Sequence, residues 1–261
     1  MSVIAILCTL AIVLSITVFM VWASASIRSG VYVRAFCREK TDRKVVYLTF
    51  DDGPHPPETE RVLDVLRERG VRATFFLIGS KVSGNEAVLR RMLEEGHTLG
   101  LHTYSHAGTF PLLSFDKMLA DVNEGKRSVE SVAGRKISLF RPPFGVTNPT
   151  IAKVVRTLGL QTVGWDVRSF DTMFCKSSEH SCKQSGSSCK QSGHDWYVPV
   201  VERIMKQVRP GSVILLHDRL DGASDLLALL LDRLTASGYD FTHALPNTLI
   251  SSSDSSETNL S

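Results

Sequence analysis

Net charge is what this 261-residue chain has least of: 30 Lys and Arg stand against 27 Asp and Glu, leaving +3. The surplus comes largely from one flank, Arg28, Arg34, Arg38, Lys40, Arg43 and Lys44, so composition gives no case for a nucleic-acid partner. Cysteine is scarce as well. Five in a chain of this length do not make a disulfide scaffold. Also missing is any basic side chain ahead of the first hydrophobic run. "VIAILCTLAIVLSITVFMVW", Val3 to Trp22, is twenty uncharged residues, enough as a helix to cross a hydrocarbon layer of about 30 Å. A secretory signal has a positive leader and an apolar stretch of only about 7–15 residues. This run has neither, which favours a retained single-pass anchor over a signal peptide cleaved at "ASA", Ala23–Ala25. Taken alone, the basic flank behind the anchor would keep the main domain in the cytoplasm.

Hydrophobic residues make up 43% of the chain, ample for a core. From Lys44 onward strand-like and helix-like stretches alternate. Strands are predicted at 45–50, 73–78, 98–102, 138–141, 161–165, 213–217 and 239–242. Amphipathic helices are predicted at 59–69, 86–95, 115–132, 149–158, 198–208 and 223–236. Gly70, Gly96, Gly134, Gly159 and Gly238 follow five of these, where a helix end favours left-handed geometry. Alternation of this kind implies parallel strands joined by helical crossovers. The expected architecture is α/β, a distorted TIM-like (β/α)7 barrel preceded by one transmembrane helix. Residues 1–25 are expected to form the anchor or signal segment, 26–43 a basic linker, 44–245 the main domain and 246–261 a Ser-rich disordered tail. Within the domain, 173–195 reads as a low-complexity insertion. Cys175, Cys182 and Cys189 recur there every seven residues, with His180 and His194 interleaved. The Ser/Gly/Lys/Gln composition points to a flexible loop, with a metal clasp as the alternative, since the spacing matches no closed zinc pattern.

Polar residues cluster where these strands end. "VYLTFDDGPHP", Val46–Pro56, closes an apolar run with two adjacent carboxylates, Asp51 and Asp52. Other strand ends carry His102, Arg141, Asp166 and His217. In a barrel the carboxyl ends of the strands share one mouth, where chemistry is located. "GLHTYSH" sets His102 and His106 four apart; with one carboxylate they form a metal shell that leaves a position open for water or substrate.

"TFDDG" (Thr49–Gly53), "HTYSH" (His102–His106), "RPPFG" (Arg141–Gly145) and "LLHD" (Leu215–Asp218) resemble, in order and spacing, the motifs of the polysaccharide deacetylases, the NodB-homology or carbohydrate esterase family 4 domain. The resemblance spans about Lys44 to Leu245. It implies metal-dependent hydrolysis of N-acetyl groups on amino sugars, with Asp52, His102 and His106 on the metal. That ion is usually zinc in the family, with cobalt, nickel or manganese as alternatives. It implies Asp51 as general base, His217 as general acid and Arg141 as the residue that holds the base. In "RPPFG", Pro143 and the Phe144 backbone N–H match the substrate and oxyanion region. Leu101 replaces a common Asn, and "RSFDT" places Arg168 and Thr172 where the family has an Asp and a Trp. Asp166 or Asp171 is the candidate to orient the acid, and Trp165, Phe170 or Leu215 to wall the acetyl pocket. The expected partners are an N-acetylated glycan and the membrane, with no protein or nucleic acid. The catalytic domain is expected outside the cytoplasm, where such glycans lie. A carbohydrate-binding protein that has lost turnover, and a hydrolase of other amides, are the competing readings.

Overall fold

The computed structural model describes residues 2–175, 196–241 and 245. Eight strands form one parallel sheet: β1 (Ala35–Phe36), β2 (Val46–Gly53), β3 (Thr74–Leu77), β4 (Thr98–Leu101), β5 (Leu139–Phe140), β6 (Gln161–Val163), β7 (Val167–Arg168) and β8 (Ser212–His217). Their order is β1-β6-β5-β4-β3-β2-β8-β7, so the sheet curls into a barrel that stays open between β1 and β7. Six of the seven expected strands are present. The seventh, at 239–242, supplies only a parallel bridge from Asp240 to Val45, and residue 242 lies outside the described residues. β1 and β7 hold two residues each, too short to show a period of two.

β2 shows how the sequence builds the barrel. Every residue in it is buried, as a strand covered on both faces requires. Val46, Leu48 and Phe50 point outward into the core shared with the helices. Tyr47 points inward beside Phe76, Leu139, Val163 and Val213. Thr49 and Asp51 continue that inner row, because alternate side chains share a face. β8 repeats the pattern: Ile214 and Leu216 belong to the outer core, and Val213 to the inner.

The predicted helices occur at Glu58–Glu68, Glu86–Glu94, Phe115–Ala133, Pro149–Thr157, Tyr197–Met205 and Ala223–Ala236. The last buries Leu226, Leu227, Leu230, Leu231 and Leu234, a stripe at helical spacing that covers the sheet. All five glycines expected at helix ends have positive φ.

Residues 26–43, read from sequence as a linker, carry β1, which pairs with β6, and Arg38 bridges to Ser212. Ile27 and Val33 in this segment are buried, which supplies the apolar contacts that hold it to the barrel. The apolar N-terminal run forms one helix, Val3–Ala25. Cys175 is buried; Cys182, Cys189, His180, His194 and the tail from 246 lie outside the described residues.

Candidate metal and catalytic site

Two neighbours in a strand face opposite ways, yet Asp51 and Asp52 serve one place. The cause is local: pairing with β3 shifts register between Asp51 and Gly53, and Asp52 takes a left-handed φ of 72°. That conformation costs a non-glycine residue roughly 1–2 kcal/mol. Thr103, His106, Phe144 and Phe170 also have positive φ, so among the described residues all five such non-glycine positions lie at the carboxyl end of a strand or in the segment that follows it. Backbone strain confined to one region in this way marks a functional site. Gly53 is glycine for space: a Cβ would come within 2.5 Å of the Asp218 carboxylate.

One oxygen of Asp52, Oδ1, lies 3.3 Å from His106 Nε2 and 3.6 Å from His102 Nε2. The ligand atoms of these three residues all fall within 4.8 Å of one another. His102 Nδ1 is 2.7 Å from the Arg141 carbonyl, which only accepts, so Nδ1 carries the proton and the Nε2 lone pair faces the cluster. Burial, then the neighbouring His102, lowers the His106 pKa and favours the neutral ligand form. Burial alone would raise Asp52, but His102, His217, His106 and Arg219 outweigh it and hold the carboxyl at about 2. One carboxylate oxygen and two imidazole Nε2 atoms turned to one point, open on one side, are a donor set that suits a divalent ion of the zinc type, which would take the imidazoles in their neutral form.

The histidine loop is held from outside. Tyr104 and Ser105 donate their backbone N–H groups to the two oxygens of Asp121 at 3.0 and 3.2 Å. Gly79 and Ser80 donate to the Thr103 and Tyr104 carbonyls. The helix 115–133 comes so close here that a Cβ on Gly79 would be 2.5 Å from Gly125 Cα.

Asp51, 3% exposed, is gripped by Arg141: Nη1 donates to its Oδ1 at 2.7 Å. The same guanidinium, wholly buried, donates to Thr49 Oγ1, the Val163 carbonyl and the Gly164 carbonyl, and lies over the Phe76 ring. The other oxygen of Asp51 stands 3.9 Å from His102 Nε2.

Across the cluster, His217 Nε2 is 4.0 Å from Asp52 Oδ2, while Nδ1 is 2.8 Å from Asp171 Oδ1. The other Asp171 oxygen accepts the His217 backbone N–H at 2.9 Å. Asp171 therefore stands where the family's missing Asp is expected to act. Asp166, the other candidate and one expected at the mouth, is not there. Its carboxylate accepts from Val213 N–H, Ser212 Oγ and Arg209 Nε at the amino end of β8, because the chain crosses from β6 to β7 within three residues.

Burial would lower His217, but Asp171, then Asp51 and Asp52, outweigh it and raise its pKa to about 9. A protonated His217 is thus present below that value and lost as pH rises through it. Removing the Asp171 charge lowers the value, so Asp171→Asn is expected to move the basic limb of the kcat–pH profile to lower pH. A limb that stays in place would assign it to another group.

The pocket candidates divide. Trp165 packs against Gly145, where a Cβ would come within 2.5 Å of its ring, and Leu215 is buried on the inner row. Phe170 is taken up elsewhere, between the guanidinium groups of Arg168 and Arg203 at 4.6 and 4.5 Å. Pro143 is buried, whereas Phe144 is half exposed with its ring 5.2 Å from that of His106. A cleft of about 410 Å³ opens beside the cluster, lined in part by His55, Ser80, Lys81 and Arg219.

Besides Asp121, sequence reasoning missed three residues here. Arg219 Nε donates to Asp52 Oδ2 at 2.8 Å, and Lys81 Nζ donates to the Asp52 carbonyl at 2.7 Å. Asp218 is fully buried, receives the Thr59 hydroxyl at 2.8 Å, and is raised to about 6, chiefly by burial. Asp218 lay within a quoted motif; Lys81 and Arg219 had no signal to separate them from solvated charges.

The family profile described as polysaccharide deacetylase matches residues 38–163, the half that carries Asp51 to Arg141. The chain is 33% identical over 207 residues to the peptidoglycan-N-acetylglucosamine deacetylase of Bacillus cereus, covering 77% of this chain and 86% of that protein. It is 31% identical over 178 residues to a chitooligosaccharide deacetylase of Azorhizobium caulinodans, covering 66% of this chain and 73% of the relative. The solved structure of peptidoglycan deacetylase PdaC from Bacillus subtilis superposes with a TM-score of 0.62 at 31% identity, over 77% of this chain and 87% of that one.

Proposed function

We propose, from the premise that the chain belongs to the polysaccharide deacetylase family, how its residues divide the work of that family's reaction. The chain is a metal-dependent hydrolase that removes N-acetyl groups from an amino-sugar glycan. The finer reading is that the substrate is peptidoglycan amino sugar, the ion is zinc, and the domain lies outside the cytoplasm behind a retained anchor. The observation that carries the hydrolase assignment is the cluster of Asp52, His102 and His106, flanked on one side by the Arg141–Asp51 pair and on the other by the His217–Asp171 pair, while the substrate reading is supported by the peptidoglycan deacetylases among the relatives.

A bound divalent ion would acidify a water and polarise the amide carbonyl. Asp52, His102 and His106 would hold it. Asp51, oriented by the Arg141 guanidinium, takes the proton of the attacking water. The Phe144 N–H, presented by a left-handed residue at the rim, donates to the developing oxyanion. His217, charged through Asp171, gives its proton to the departing nitrogen of the sugar. The binding-only alternative loses its main support, because Asp171 partners the acid that the altered fourth motif would otherwise have left unpaired.

Metal stoichiometry tests the ligand set. The full chain is expected to bind one zinc per molecule, and His106→Ala to weaken that binding by about 10-fold or more. Unchanged affinity in that variant would remove His106 from the ligands.

A further inference from the structure

The apolar helix does not end in a free tether. Ala23, its one buried residue, is fully covered. Ser24 Oγ donates to the Thr147 carbonyl at 2.7 Å, and the Thr147 N–H donates back to the Ser24 carbonyl at 2.9 Å. Thr147 Oγ1 donates to the Ala23 carbonyl at 3.3 Å. Ile27, 4% exposed, packs where a Cβ on Gly164 would be 3.1 Å from it.

These contacts lie at the mouth. Thr147 follows "RPPFG" in the loop after β5, and Gly164 follows β6 and accepts from Arg141. The helix therefore docks on the rim that holds the catalytic cluster, and from Val3 to Trp22 it leaves the domain with its side chains exposed. Two more apolar side chains stand uncovered on this rim: Leu112 at 85% and Phe144 at 50% exposure. Asn148, next to Thr147, ties the Leu112 turn in place by donating to the Pro111 carbonyl at 2.7 Å. Arg28, exposed just past the helix, supplies positive charge suited to anionic headgroups. Exposed apolar groups beside a membrane-length helix fit contact with lipid.

The geometry points to a mouth that faces the bilayer: the helix is retained, docked through Ala23 and Ser24, and it holds the Leu112–Phe144 rim against the lipid surface. This rests on the anchor reading above. Cleavage after Ala25 would delete both docking residues and their three hydrogen bonds to Thr147. The N-acetyl groups in reach are then those on glycan next to the membrane.

The test uses the full chain in vesicles of phosphatidylethanolamine and phosphatidylglycerol with brominated acyl chains. A fluorophore is attached at Leu112→Cys or, at the opposite end of the barrel, Arg135→Cys, each in a background with the native cysteines changed to Ser. The label at 112 is expected to lose most of its emission and the label at 135 almost none. Adding Ala23→Phe, which cannot fit the covered site, should restore emission at 112. Equal quenching at both positions, or quenching at 112 that survives Ala23→Phe, would overturn the proposal. The mass of the unmodified chain from the membrane fraction is a second readout. An intact N-terminal helix is expected, and a product beginning at Ser26 would overturn it. Neither readout depends on turnover, so failure here is distinct from failure of the deacetylase assignment.

Discussion

Asp51→Asn is expected to lower kcat on an N-acetylated glycan by about 10²–10⁴-fold while leaving the metal bound. The substitution keeps the size of the side chain but removes the charge that accepts a proton. Asp51 is suited to that task by its surroundings. One oxygen is fixed by Arg141 at 2.7 Å, and the other faces the histidine cluster at 3.9 Å from His102. Asp52, by contrast, turns Oδ1 to both imidazoles, so its loss should remove the ion. Metal analysis alongside kinetics separates the two acids. If Asp51→Asn and Asp52→Asn lost metal equally, the division of roles would be wrong.

Arg141→Met should both abolish turnover and destabilise the domain by about 3–5 kcal/mol, the usual cost of breaking one side of a buried ion pair. The guanidinium is fully buried and satisfies Asp51, Thr49 and two backbone carbonyls. Methionine fills the volume but leaves the Asp51 charge without compensation in the barrel interior. Arg141→Lys keeps the charge but cannot reproduce the four-way fork, so an intermediate loss is expected. Denaturant midpoints of the detergent-solubilised full chain measure the effect. A shift in Arg141→Met equivalent to less than about 1 kcal/mol would contradict the reading of Arg141 and Asp51 as a buried ion pair.

Much of this site could be read from the sequence because strands announce it. An apolar run ending in polar residues marks a strand end, and the ends of parallel strands must gather at one face. That logic placed Asp51, Asp52, His102, Arg141 and His217 together. It failed for Asp166, which follows β6 in sequence but sits at the amino end of β8. It also could not say how two adjacent acids share one face, since the answer is a φ of 72° at Asp52 and a register shift beside it. The helices were legible through their leucine spacing, most fully at 223–236. β1 was not, because two residues carry no period and their pairing with β6 depends on contacts far along the chain. Asp121, Lys81 and Arg219 were invisible for a different reason: an isolated charge on a helix or loop has the same sequence signature whether it is solvated or braces a site.

Acetate release tests the central claim most directly. The full chain, loaded with zinc, is incubated with peptidoglycan fragments and with N-acetylglucosamine oligomers, and free acetate is quantified against newly exposed amine. The account predicts equal amounts of both, loss of both on chelation, and recovery when zinc is returned. Undiminished release from metal-free protein, or no acetate from any of these glycans by protein that carries its ion, would contradict it.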